Sequence, residues 1–412
     1  MIALGSTVFM VVALLAMLDP FYTGFDVFRV TRDIGPFKYA AVLVGLGLAG
    51  YSLMRIYLGA SRNRRHALRA AFAGSLPLIL FVIWVIASSL YARLFLGVDE
   101  TFLQLGVGVL GYFYALLFYA ATPHGLALAK RFMFWLMFAA MPFMFAWTVI
   151  SYINGGQAFH SEVFLLVPLA IYAYLHFRRR WLAWPVILIV VSAGILSHKN
   201  TGYMVTLLVC VHLAILLLRR QRLSKGVLWF SVFALVLVVS FVIAFLLMNY
   251  EEYLPSGSTH VRFVTYLHAW NNFIGNPLLG IGFADSTLVY LDEGMKVLGN
   301  EHVIMHSDLL DILSHGGLLA MGLVITAVFG RISLGRKALA MRPDPESRAL
   351  IHSFGSMVIC GFVVAAFNAP WLSLTVALFY WFALGLLQSV ATSVIDKHSA
   401  VSSVSRYTNK PT

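Results

Sequence analysis

His306 opens the run His306-Ser307-Asp308-Leu309-Leu310-Asp311-Ile312-Leu313-Ser314-His315-Gly316-Gly317. An imidazole at the start of a helix can be neutral near pH 7 and accept a proton, as a general base must. Arg262 opens an amphipathic stretch, Val261 to Phe273, and its planar fork suits bidentate binding of a phosphate. Lys199 sits in a polar turn, Ser197-His198-Lys199-Asn200-Thr201-Gly202, and can neutralise an anionic ligand at a membrane surface. Each has a plainer reading. The histidine is then hydrated at an interface, the arginine snorkels to lipid headgroups, and the lysine reaches water from its turn. Asp308 and Glu301 are candidates to orient His306. Asp308 and Asp311 equally complement the positive end of a helix dipole. Trp270 shares the amphipathic stretch with Arg262, where an interfacial aromatic belt is the simpler account. There is no P-loop, nucleotide fingerprint, metal-ligand cluster or serine-nucleophile motif. Cys210 and Cys360 lie in apolar runs without disulfide or metal spacing, so neither a metal nor another cofactor is expected.

The elements that must hold these residues are membrane helices. The 412-residue chain is 60% hydrophobic and 11% charged, well below the roughly 25% charged of soluble proteins. Spanning about 30 Å of hydrocarbon takes roughly 20 apolar residues in helical form, because backbone polar groups in lipid must pair internally. The apolar runs do not alternate as barrel strands do. About twelve spans are expected, at 2–18, 36–58, 71–91, 102–121, 132–151, 161–177, 181–196, 202–218, 227–248, 307–330, 350–367 and 371–392. The first run lacks a basic start and a cleavage site, so it reads as a helix and not a signal peptide.

With the N-terminus cytoplasmic, 22 of the 29 Lys and Arg fall on the cytoplasmic side. They include a loop at 331–349 that begins with Arg331. This is a positive-inside pattern, with both termini cytoplasmic. The net charge of +12 then reflects topology and does not mark a nucleic-acid partner. The organisation is 1–248 for nine spans, 249–306 for a large outer loop, 307–392 for three spans and 393–412 for a tail. The loop turns at Asn276-Pro277 into Gly280-Ile281-Gly282 and is expected to carry one or two interfacial helices.

Three segments together resemble the bacterial O-antigen ligase and Wzy-type polysaccharide polymerase superfamily. Arg262, Trp270 and Asn276-Pro277-Leu278-Leu279-Gly280-Ile281-Gly282-Phe283 resemble its outer-loop pattern of arginine, tryptophan and PLxGxG. His306-Ser307, Leu310, Leu313 and Gly317 resemble its HNxxLxxLxxxG signature, with Ser307 in place of the usual Asn and Ala320 in place of a second Gly. Ser197-His198-Lys199 stands where the family has a turn with a basic residue, usually Arg. The resemblance implies a class C glycosyltransferase-like, all-α integral membrane fold in the bacterial inner membrane, with its active site on the periplasmic face. It implies a donor glycan on undecaprenyl diphosphate, a sugar-hydroxyl acceptor and inverting, metal-independent transfer. A chain-length regulator is an expected partner. Arg262 and Lys199 would stabilise the departing diphosphate, and His306 would deprotonate the acceptor. Polymerisation of repeats for a capsular, exopolysaccharide or O-antigen chain is the leading reading. Ligation to lipid A–core is the alternative, and a lipid-linked oligosaccharide flippase or other transporter is the further one. A carrier would show ionisable residues at mid-membrane depth, broken helices and repeats. His212 is the mid-span exception, read as a packed polar residue.

Overall fold

In the computed structural model, residues 72, 74–95, 103–121, 125–153, 165–196, 200–220, 258–283, 288–290, 302–304, 307–372 and 374–408 are described, with Gly47, Gly50 and Met54, which are helical. The expected spans 2–18 and 227–248 and most of 36–58 lie outside them. The described helices are α1 (Leu76–Phe95), α2 (Leu103–Gly108), α3 (Leu110–Ala121), α4 (Gly125–Ile153), α5 (Leu169–His176), α6 (Ala183–Leu196), α7 (Asn200–Arg220), α8 (Ser258–Gly275), α9 (Asp308–Ala340), α10 (Pro345–Phe367) and α11 (Leu374–Thr408). Six of them are long and apolar enough to cross a membrane. Large apolar side chains such as Ile83, Phe138, Leu188 and Phe329 point out of the bundle, which suits a hydrocarbon solvent.

Lipid offers little hydrophobic drive for helices to associate, so close approach and polar pairing must do so. The α3–α11 crossing is an example. A Cβ at Gly111 would lie 2.1 Å from the Leu378 carbonyl oxygen, and one at Gly385 2.6 Å from that of Tyr112. The absent side chains let the two backbones nearly touch.

Three features depart from expectation. First, the large outer loop holds the helix α8 and also a short antiparallel ladder, β1 (Leu288–Tyr290) with β2 (His302–Ile304), so the all-α description applies to the bundle and not to this loop. Second, α9 runs ten residues past the expected end of its span, and residues 331–340 are helix where a loop was expected. Arg331 is consequently buried between α3 and α11. Its Nε donates to Oε1 of Gln388 at 2.8 Å and its Nη2 to the Tyr112 hydroxyl at 3.2 Å. Those partners satisfy a guanidinium whose burial would otherwise be costly. Third, α9 is broken at Gly317, whose φ of 63° and ψ of −165° are not helical.

Candidate active site

The break in α9 explains the glycine-rich motif of the outer loop. A helix interrupted inside a membrane frees backbone groups that cost several kcal/mol each if left unpaired. Here the segment after Asn276 supplies the partners. The amides of Ile281 and Gly282 donate to the carbonyls of Ser314 and His315 at 3.0 and 2.9 Å. The amides of Leu318 and Leu319 donate to the carbonyls of Pro277 and Leu278 at 2.9 and 3.1 Å. The loop thus replaces the missing turn. It needs glycine to come this close: a Cβ on Gly280 (φ 70°) would lie 2.3 Å from the His315 carbonyl carbon. Ser89 on α1 fixes the far end of the loop by donating to the Phe283 carbonyl at 3.0 Å.

The short helical piece before the break, residues 308–316, carries buried polar groups. Ser307 caps it, accepting from the Leu310 amide at 3.2 Å. Nδ1 of His315 lies 3.0 Å from Oδ1 of Asp311, and the Phe283 ring stacks on the imidazole with centroids 6.0 Å apart. Both members of the pair are buried. Asp311 was expected only to complement the dipole; its position one turn before His315 was the available signal for the pair.

The loop between α10 and α11 gathers three helices at one end of the bundle. The amide of Asp308, at the start of α9, donates to the Asn368 carbonyl at 3.2 Å. Oδ2 of Asp308 accepts from the Trp371 amide at 2.7 Å. Nδ2 of Asn368 donates to Oγ1 of Thr201, in the first turn of α7, at 2.6 Å. The hydroxyl of Tyr266 on α8 reaches the Phe367 carbonyl at 3.5 Å. Asn368 was not a sequence candidate. Its only signal was the turn-like Asn368-Ala369-Pro370 between two apolar runs.

Of the sequence candidates, Arg262, Trp270 and Asp308 are described; His306, Lys199 and Glu301 lie outside the described residues. Arg262 is on α8, one turn before Tyr266, and is half-buried. Its Nε is buried with no hydrogen-bond partner among the described residues. Burial pushes the Tyr266 hydroxyl above its ordinary pKa, and the Arg262 charge pulls against that. On the same helix, partial burial and then the His315 charge hold the His268 imidazole below its ordinary pKa of 6.5, so it is neutral at pH 7. Trp270 is half exposed and tilts against Phe273 at 5.4 Å between ring centroids. Asp308 is fully buried and tied to Trp371. Among the described residues no group of three or more His, Cys, Asp or Glu converges as a metal site would.

Residues 185–325 match the family model described as O-antigen ligase. The match runs from α6 into α9 past the break, and so contains α7, α8 and the loop that mends α9. It supports a membrane enzyme of the glycan ligase or polymerase type. A comparison with curated proteins finds no match to the chain.

Proposed function

We propose that this chain, whose residues 185–325 match the O-antigen ligase family model, transfers a glycan from undecaprenyl diphosphate to a sugar hydroxyl, and that it polymerises repeats by this reaction. The observation that supports this most is the Phe367–Asn368 junction. It ties the helix bearing Arg262 to the described starts of α7 and α9, just downstream in sequence of Lys199 and His306. The helix that carries Arg262 and the described starts of α7 and α9 therefore meet at one end of the bundle.

The chemistry follows from those groups. A diphosphate departs without protonation where cations neutralise its developing charge. Arg262 is suited to this, with a buried Nε that has no hydrogen-bond partner among the described residues. Lys199 adds a second positive charge without the bidentate fork of an arginine. His306, as neutral imidazole, takes the proton from the acceptor hydroxyl, whose oxygen attacks the anomeric carbon opposite the departing diphosphate and inverts it. Asp308 positions this end through Trp371, and Trp270 and Glu301 are binding contacts for the donor or acceptor glycan. The reaction proceeds on the periplasmic face of the inner membrane in a class C glycosyltransferase-like bundle of about twelve spans, with the polyprenyl tail lying between helices.

The ligase reading, transfer to lipid A–core, is favoured by the description of the matching family model. Glycan analysis separates the two. Loss of a polymerase leaves single repeats on the lipid, and loss of a ligase leaves long unattached chains. In cells carrying Arg262→Ala or His306→Ala at normal membrane levels, product should disappear. Normal product from His306→Ala would end the mechanism. Movement of the lipid-linked glycan by reconstituted protein, without formation of a glycosidic bond, would establish the transporter instead.

A further inference from the structure

A cavity of about 610 Å³ opens between α7, α9 and α10, a size that suits a ligand chain or headgroup. It is remote from the Asn368 junction. His212 lies eleven residues along α7 from Thr201, roughly 16 Å, and His352 lies fifteen residues before Phe367 on α10, roughly 22 Å. Nothing in the transfer reaction uses it.

The lining sets a polar cluster among apolar side chains. His212 bridges α7 to α10, with Nδ1 2.6 Å from the Ser356 hydroxyl and Nε2 3.0 Å from Nδ1 of His352. Arg336, one residue from the cavity-lining Gly335, brings a guanidinium to the same wall. Gly335 approaches Ile351, the neighbour of His352, so the cation and the histidines stand at similar depth. Toward the Asn368 end the lining turns apolar, with Leu208, Ile332 and Ile359. The region around the other end is rich in cations: Arg336, Lys337, Arg342 and Arg348. Of the acids at that end, Asp344 caps α10, Glu346 pairs with Lys130, and Asp396 on α11 is exposed. Among the described residues Arg336 has no ion-pair partner.

We propose that this cavity binds an anionic phospholipid of the leaflet at the basic end, with its phosphate beside Arg336 and the His212–His352–Ser356 chain and its acyl chain along Leu208, Ile332 and Ile359. The lining offers an amphiphile both of its contacts: Arg336 and the histidine pair for a phosphate, and Leu208, Ile332 and Ile359 beside them for an acyl chain. The positive charge selects an anionic headgroup over a zwitterionic one. This site is independent of the transferase reading.

The test uses the purified full chain and native mass spectrometry with phosphatidylglycerol or phosphatidylcholine of matched acyl chains. Wild type should retain phosphatidylglycerol preferentially. Arg336→Gln should cut that preference about fivefold, the weight of one basic residue at an anionic surface. Gly355 lines the cavity, and a Cβ there meets nothing within 4 Å, so Gly355→Leu starts its side chain in open space and extends it into the cavity. It should abolish preferential retention while helical content by circular dichroism is unchanged. Equal retention of the two lipids by wild type, unchanged retention in Gly355→Leu, or displacement of the lipid by inorganic phosphate alone would each overturn the proposal.

Discussion

The amide of Leu319 donates to the carbonyl of Leu278 at 3.1 Å, across the point where α9 is broken at Gly317. Sequence places these residues forty-one positions apart. The bond is one of four by which a segment of the outer loop stands in for a missing turn of a membrane helix, and it makes the break a stable part of the fold.

Gly317→Ala should destabilise the protein severely. A Cβ there would sit 2.4 Å from the Leu278 carbonyl carbon, and φ of 63° adds about 1–3 kcal/mol of backbone strain. Gly322→Ala is the control: a Cβ there meets nothing within 4 Å, and the change should be neutral or stabilise by up to about 1 kcal/mol. Thermal unfolding in detergent compares them, and equal midpoints would mean that the loop does not lock the break.

Asn368→Ala should reduce glycan transfer roughly ten- to a hundredfold with little loss of membrane protein, because it releases Thr201 and loosens the junction between α7 and α9. Asp308→Asn should retain most activity, since an amide oxygen can still accept from the Trp371 N–H, whereas Asp308→Ala should not. Product yield per unit of protein checks the series. Equal activity in Asp308→Ala and wild type would remove Asp308 from the positioning set.

Gln388→Leu should cost about 2 kcal/mol, the loss of a hydrogen bond to a charged donor, because it leaves Nε of Arg331 without its acceptor in the bundle interior. The double variant Arg331→Met, Gln388→Leu should recover much of this, since an apolar pair leaves no buried donor unsatisfied. Denaturation midpoints of the two variants provide the comparison.

Asp344 gives the α9–α10 turn an acid-sensitive cap. Burial opposes its ionisation, but the Ser347 amide and hydroxyl, the Lys397 charge and the Glu346 amide outweigh that and hold the carboxyl below its ordinary 3.8. A depressed folded-state pKa means that the unfolded chain binds the proton more readily. The stabilisation is therefore present above about pH 4 and is lost as the pH falls through the folded value. Asp344→Asn should flatten this acid limb of the stability curve, while Asp344→Ala should cost about 1 kcal/mol at neutral pH through loss of the cap. Thermal melts between pH 3 and 7 would show either effect.

Much of the bundle is legible in the sequence. Apolar run lengths anticipated α1, α7 and α10 to within a few residues, and Val261 to Phe273 foretold α8. Arg331 was misread because a charged residue after an apolar run looks like the end of a span; in fact its helix continues and Gln388 and Tyr112 shelter it. The mid-span polar set was likewise underestimated: the four-residue spacing of Asp311 and His315 within α9 was there to be read, whereas His212 and His352 meet across helices, which neither spacing nor hydropathy shows. A broken helix and buried ionisable groups are marks expected of a carrier, and here the break is closed by the loop segment 277–282, which lies within the range that matches the O-antigen ligase model.

What the amino-acid order determined alone was which stretches are helical and apolar, where cations gather, and which segments carry the motif. A bilayer reads these residue by residue, through the cost of placing each side chain and amide in hydrocarbon. Only the tertiary structure decided that Pro277–Gly282 mends the break in α9, that Asn368 joins α7 to α9, and that Arg331 is inside the bundle. Those outcomes depend on which donor meets which acceptor between distant segments, and that is set only when the helices pack.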